Sequence, residues 1–341
     1  MKKRSVLGLL LIGVALFALM NGGANAQMQD KPIVIKALTH LPTNHMNNDP
    51  VPFFVERVNK LAQGKLKINW VGGPEVIQSF DQIRALKTGA IDMLLYYPFA
   101  FMKSIMPEAE AKGLSELAEW EERKTGAYEL WCEIIEKRAN AKYLGRFHSL
   151  VPFTLYCNKK IEKVDDLKGE RIRVMPLYVP LMKAMGAVPV TIPPPDIYTS
   201  MERGVVNGFM WPRVGMVSWG LHEVTKYVID LGVFQIEPAT MINLDCWKKI
   251  PRDLQELVLD VMKDFEYIAT MRALMILESE DKIRQKAGMK FIKLPPQEAE
   301  KFTKIASDAT WEVVLKGAPE YGPKLKKLMS KTAVPKGAFP W

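Results

Sequence analysis

Residues Val164 to Arg213 read VDDLKGERIRVMPLYVPLMKAMGAVPVTIPPPDIYTSMERGVVNGFMWPR, and this stretch decides the fold. Asp165-Asp166 opens a short helical turn that Gly169 ends, and Arg171 to Val174 form a brief strand-like run. Val179 to Met185 carry apolar residues at helical spacing, up to Gly186. A second strand follows at Val188 to Ile192, a helix at Pro195 to Arg203, and a last strand that meets Trp211 and Pro212. Strands joined by a single short helix need a right-handed crossover, so they lie parallel in one sheet. Such sheets bind ligands in the crevice outside their strands' carboxyl ends. Arg173 stands near one such end and Trp211 near another, and these two side chains are the expected centre of a binding site.

Upstream, Ile33 to Leu38 alternate like a strand that Thr39-His40-Leu41-Pro42 break. A helix from Pro52 to Leu61, a strand from Lys65 to Val71, a helix from Ser79 to Lys87 closed by Gly89, and a strand from Ile91 to Tyr96 follow. This β-α-β-α-β order predicts an open parallel sheet with helices on both faces. Thr39-His40 and Tyr96-Tyr97 fall at strand carboxyl ends and so face the cleft. Glu116 to Arg138 reads as mostly helical and peripheral. Tyr143 to His148 and Pro152 to Cys157 read as strands leading into a second α/β unit, which holds the quoted stretch and runs to about Asp230.

Gln235 to Asp245 then crosses back to the first unit. Asp253 to Lys286 contain neither Pro nor Gly, and Leu254, Val258, Val261, Phe265, Ile268 and Met275 fall largely at helical steps. One helix of that length spans ~50 Å, enough to lie across two domains. The tail, Pro295 to Trp341, is expected to cap the second domain. The expected division gives residues 27–150 and 236–270 to a first domain and 151–235 and 271–341 to a second.

The N-terminus has the form of a secretory signal, residues 1–26. Lys2, Lys3 and Arg4 are a charged head, Val6 to Met20 an apolar stretch short for a membrane span, and Ala24-Asn25-Ala26 a cleavage site. Its removal places the mature chain in the periplasm and takes the net charge from +9 to +6. That balance is mild and not localised. The one dense cluster, Lys324 to Lys336, has no interleaved aromatics and reads as a solvated face, not a nucleic-acid surface. Cys132, Cys157 and Cys246 are far apart with no C-x-x-C pair, so neither a metal knuckle nor a redox motif is indicated. Cys132 and Cys157 read as ordinary buried thiols.

Enzyme signatures are absent: no G-x-S-x-G, H-E-x-x-H, Walker loop or G-x-G-x-x-G. His40, His45, His148 and His222 are scattered, and Gly72-Gly73-Pro74 lacks the Lys-Ser/Thr of a phosphate loop. On a strand Arg171 and Arg173 point to one face. Either both are surface arginines near Asp165, Asp166 and Glu170, or Arg173, at the strand's exit, grips a carboxylate through two parallel hydrogen bonds.

Several spaced motifs resemble the solute-binding proteins of tripartite ATP-independent periplasmic (TRAP) transporters, of the dicarboxylate-receptor type. They are the D-L-K-G-x-x-I-R-V block at Asp166 to Val174, the following G-A-x-P-V, the V-V-N-G before Trp211, and Gly89-x-x-Asp92. Asn243-x-x-x-Trp247-x-x-Ile250-Pro251-x-x-Leu254-Gln255 completes the set. The resemblance implies an α/β, two-domain periplasmic-binding-protein fold with parallel-rich sheets, a hinge cleft and a long domain-spanning helix. It implies that Arg173 holds the ligand carboxylate, that the protein performs no chemistry, and that it delivers its ligand to membrane permease subunits.

Tyr97, Phe153 and Trp211 align where relatives contact ligand. Sialic-acid-binding relatives have an acid near the first position, a second arginine at the second and an asparagine near the third. Aromatic residues at all three favour a monocarboxylate or 2-oxo acid with an apolar or aromatic body. Phe153 is equally readable as core. The 2-oxo-acid-binding relatives carry Glu-Trp where this chain has Met210-Trp211. A thioether suits hard cations poorly, so no metal or other cofactor is expected, with Glu237 and Asp245 the remaining oxygen donors nearby. Arg213 reads as a second cation for the ligand or a surface residue, and Gln235 and Asn243 as amide contacts. Two rival readings remain open: a sensory module of the same fold feeding a membrane kinase, and a periplasmic enzyme acting on organic acids.

Overall fold

A computed structural model describes residues 31–334, so the signal segment and the end of the tail lie outside the described residues. The first sheet contains β1 (Ile33–Thr39), β2 (Leu66–Gly72), β3 (Met93–Pro98), β4 (Ala141–Arg146) and β11 (Pro238–Asn243), in the order β2-β1-β3-β11-β4. β1 runs parallel to β2 and β3, because a helix returns the chain each time. The first of these, Pro50–Leu61, starts on a proline and buries Val51, Phe54 and Val58 at three- and four-residue steps. The second, Gln82–Thr88, stops at Gly89, whose φ of 76° closes the last turn in the left-handed region.

The second sheet contains β5 (Pro152–Cys157), β6 (Arg171–Val174), β7 (Val188–Thr191), β8 (Gly208–Pro212), β9 (Tyr227–Ile229), β10 (Phe234–Gln235) and β12 (Lys290–Ile292). Its order is β12-β9-β5-β8-β6-β7, with β10 beside β5. β6 is parallel to both β7 and β8, as the short helices Val179–Ala184 and Ile197–Glu202 require. Each sheet also takes in strands with the opposite direction. β11 is antiparallel to β3 and β4, and β5 to β8 and β9. Both sit where the chain passes from one sheet to the other without a crossover helix to reverse it.

The long helix runs unbroken from Arg252 to Lys286, 35 residues. Its first half buries Leu254, Val258, Val261 and Phe265 against the first sheet's core. Its second half belongs to the other sheet. Glu280 accepts the Gly215 amide at 3.0 Å, and Arg284 donates to the Arg213 carbonyl at 2.7 Å. Thr270, between the halves, donates to the Glu266 carbonyl and accepts the Ser149 amide, so the helix is anchored where the chain crosses. Ile268 and Met275, expected in the apolar stripe, are exposed instead, at 46% and 72%.

Two further expectations are corrected. The tail does not cap the second sheet alone. Helix Pro296–Gly317 touches both Val179–Ala184 and the 3-10 segment Pro107–Leu114, and helix Gly322–Leu328 packs on Pro107–Leu114 and on helix Ala127–Ala139. Nor is Glu116 to Arg138 peripheral. Trp131, Glu119 and Glu122 are fully buried in it, and the two carboxylates meet Lys112 and Arg146 in a buried ionic cluster. Cys157 is buried and Cys132 only half-buried, and all three cysteines are free thiols. Among the described residues no helix is long and apolar enough to cross a membrane.

Candidate functional site

The strand exits of both sheets meet at one narrow cavity of about 50 Å³, well below the usual size of a ligand pocket. His40, Leu41, Tyr96 and Phe101 border it from the first sheet, and Phe153, Met175, Pro194 and Trp211 from the second. The crossing segment Ile236-Glu237-Pro238 supplies a third wall. The border is therefore mostly apolar, with His40, Asn47 and Glu237 as its polar members.

Arg173 backs the wall beside Trp211 and does not border the space itself. Of the two arginines on its strand face, Arg171 is exposed and Arg173 is 1% exposed. Its Nε donates to the Ile192 carbonyl at 2.8 Å and its Nη1 to the Met210 carbonyl at 3.4 Å. The Trp211 ring lies 5.6 Å from the guanidinium carbon. Among the described residues no carboxylate pairs with it. Burial pulls its pKa down to about 9, with only the nearby Tyr178 pulling the other way. Two donors in this region are buried without a partner among the described residues, the Tyr178 hydroxyl and the Trp211 indole N–H.

On the opposite wall the His40 Nδ1 meets the Tyr96 carbonyl at 2.5 Å. A carbonyl only accepts, so Nδ1 carries the proton. Burial lowers the His40 pKa to about 3, and the ring is neutral at physiological pH. Tyr96 stacks on His40 at 5.6 Å, and its hydroxyl bonds to His148 at 2.9 Å.

The structure brings His40, Phe153 and Trp211 to the cavity, with Arg173 behind them. It places the remaining candidates elsewhere. Tyr97 turns away and donates its hydroxyl to the Ser79 carbonyl at 2.8 Å, and Tyr96 borders the space instead. Tyr96 has a φ of +52°, and the β3–β11 pairing shifts register between Ala239 and Met241, so simple alternation fails at this strand exit. Met210 is buried with its side chain in the core, offering only its carbonyl to Arg173. Arg213 is tied to Asp230 at 2.8 Å and Asp281 at 2.5 Å. Gln235 has its amide filled by Leu150, Ser115 and Leu117. Asn243, at the far end of β11, caps helix Leu244–Trp247. Among the described residues no group of three or more His, Cys, Asp or Glu side chains is placed to hold a metal ion.

Sequence reasoning turned Tyr96 toward the cleft without naming it a ligand contact, missed Phe101, Tyr178 and Asn47, and considered Glu237 only as an oxygen donor to a cation. The one signal for Glu237 was an acid alone in an apolar, proline-bounded crossing.

The mouth of the cleft is bridged. The His45 Nε2 meets the Ser218 hydroxyl at 3.3 Å, and its ring packs on Trp219 at 5.0 Å. Asn47 lies so close to Gly215 that a Cβ there would stand 2.2 Å from Asn47 Oδ1, at a φ of +84°. Gly215→Ala is therefore expected to hold the walls apart and weaken ligand binding by about tenfold. Calorimetry checks this, and unchanged affinity would show that this contact is not part of the bound form.

Two sheets around one cleft, joined by a helix that spans both, define a two-domain α/β solute receptor. The model of the bacterial extracellular solute-binding protein family 7 (DctP) matches residues 38–316, and the chain belongs to that family. A solute-binding protein of Albidiferax ferrireducens is 24% identical over 272 residues, covering 76% of this chain and 78% of that one. A TRAP periplasmic solute binding protein from Desulfovibrio salexigens with bound orotic acid superposes with a TM-score of 0.79 at 16% identity, over 88% of this chain and 98% of that one. DctP7, a Bordetella pertussis extracytoplasmic solute receptor binding pyroglutamic acid, gives 0.77 at 19% identity, over 87% and 99%. The resemblance read from the spaced motifs holds at the level of family and fold, and the family is one of receptors, not enzymes.

Proposed function

We propose that this chain is a periplasmic TRAP receptor for an organic monocarboxylate with an apolar or aromatic body. Arg173 pairs with the carboxylate, and Trp211, Phe153 and Tyr96 enclose the body. The observation that carries this is a guanidinium buried to 1% exposure, with no carboxylate partner among the described residues, beside a mostly apolar cavity. Such a cation is costly unless something neutralises it, and a ligand carboxylate does so while restoring its pKa. A turn of the side chain that gives up the long 3.4 Å bond to Met210 frees one arm of the fork for the ligand.

A dicarboxylate fits less well. Arg213 is already paired with two aspartates, and a second carboxylate would face Glu237. The C4-dicarboxylate-binding DctP of Rhodobacter capsulatus is a relative at 21% identity, so this is a difference in ligand within one family. The two sheets swing about the two crossings and the long helix. Ligand favours the closed form, which membrane permease subunits then read.

A thermal-shift panel of organic acids tests this reading. Aromatic or apolar monocarboxylates near a hundred times their Kd should add ~2.7 kcal/mol and raise the melting temperature by about 5 °C. Stabilisation by C4-dicarboxylates or sialic acid, with none from those monocarboxylates, would overturn the ligand class.

A further inference from the structure

The cavity has a second ionisable wall that the carboxylate pairing leaves unused. Glu237 borders it from the crossing between β10 and β11, and is 2% exposed. Among the described residues no side chain donates a hydrogen bond to its carboxyl, and the Ala100 amide does so only at a long 3.4 Å. The nearby cations are committed elsewhere. Lys112 is bound to Glu119 and Glu122, and Arg146 to the same two carboxylates and to the Leu117 carbonyl. A buried carboxyl is costly unless its hydrogen bonds are made. One that faces a ligand space with only a long amide bond on it has acceptor capacity to spare.

Arg173 stands on the other sheet, and the unpartnered Tyr178 hydroxyl feels both the Glu237 and the Arg173 charge. The cavity is thus dipolar, with a cation behind one wall and a carboxyl in another.

We infer that Glu237 is a specificity-determining residue that accepts a hydrogen bond from an N–H or O–H group on the ligand body, away from its carboxylate. The inference rests on Arg173 as the carboxylate's anchor and narrows the solute class. An acid whose ring carries an amino or hydroxyl group fits, and a plain hydrocarbon acid leaves the carboxyl unsatisfied.

The pH dependence follows from the surroundings of Glu237. Burial pushes its carboxyl up to about 7, against a partial pull downward from the Ala100 amide, then Arg146, its own amide and Lys112. The hydroxyls near it, Tyr96 and Tyr178, are themselves pushed up by burial and stay protonated. Glu237 becomes the stronger acceptor as pH rises through about 7, so preference for a donor-bearing ligand grows in that direction.

The test titrates wild type, Glu237→Met and Glu237→Gln by calorimetry with matched acids, para-aminobenzoate against para-toluate and meta-hydroxybenzoate against meta-toluate. Each pair is run about one unit below and above that pH. The wild type is expected to prefer the donor-bearing member of at least one pair by about ten- to a hundredfold, and more so at the higher pH. Glu237→Met should level that pair, and Glu237→Gln, whose amide oxygen still accepts, should keep part of the preference. Equal binding within both pairs, or a preference that survives Glu237→Met, overturns the role of Glu237 and leaves the anchor standing. Failure of all four acids to bind wild type, or binding indifferent to Arg173→Met, overturns the anchor and this inference together.

Discussion

Arg173→Met is expected to lower affinity for the solute by about a hundred- to ten-thousandfold while moving the melting temperature of the unliganded protein by no more than a few degrees. Two charge-assisted bonds to a carboxylate are worth ~1.5–3 kcal/mol each in a water-poor site, and methionine keeps the volume while removing both. The unliganded protein loses the bonds to the Ile192 and Met210 carbonyls, but it also sheds a buried cation with no counter-ion among the described residues. These two changes oppose each other. Arg173→Lys keeps the charge without the planar fork and should fall between the two proteins. Isothermal calorimetry with the best acid of the panel gives the affinities, and a loss smaller than about threefold would remove Arg173 from the site.

Arg146→Met should act on stability instead. Lys112, Glu119, Glu122 and Arg146 are all completely buried, and Arg146 Nε lies 2.7 Å from Glu119. Removing one cation leaves two carboxylates sharing a single lysine, a change that costs ~3–5 kcal/mol. For a chain of this size that is a melting temperature lower by about 10 °C. Restoring charge balance in Arg146→Met/Glu119→Gln should recover much of it, and a loss under about 1 kcal/mol in the single variant would mean the cluster is not acting as one unit.

Acid should have a related effect. Burial alone would push Glu119 up, but Lys112 and then Arg146 outweigh it and hold the carboxyl below its ordinary value of 4.5. That contribution is complete above the unfolded-state value and lost as pH falls below it. The single variant should therefore show a shallower loss of stability on acidification.

Much of the fold could be read from local chemistry. The β6-helix-β7 unit, the left-handed Gly89 and the long helix without Pro or Gly are each set by residues close in sequence. His40 and Trp211 were reachable by the rule that strand carboxyl ends face the cleft, whereas Phe153, at the start of β5, came only from the alignment with relatives. What could not be read depends on packing between distant segments. The alignment with relatives pointed to Tyr97, but with a positive φ at Tyr96 it is Tyr96 that borders the cavity while Tyr97 turns to the Ser79 carbonyl. Gln235 and Asn243 were reasonable amide contacts until Ser115, Leu117 and the Leu244–Trp247 helix took their hydrogen bonds. Arg213 was a free cation in the sequence and meets Asp281 only because the long helix reaches the second sheet. The buried cluster was hidden for the same reason. Glu119 and Glu122 look like the polar face of a helix until Lys112 and Arg146 arrive from elsewhere in the chain.

A crystal structure of the protein with a bound acid from the panel tests the anchor most directly. The expected complex has the ligand carboxylate at about 2.7–2.9 Å from the guanidinium nitrogens of Arg173, with its body between Trp211 and Tyr96. A complex in which the carboxylate lies out of hydrogen-bond reach while Arg173 stays on the Ile192 and Met210 carbonyls would contradict it.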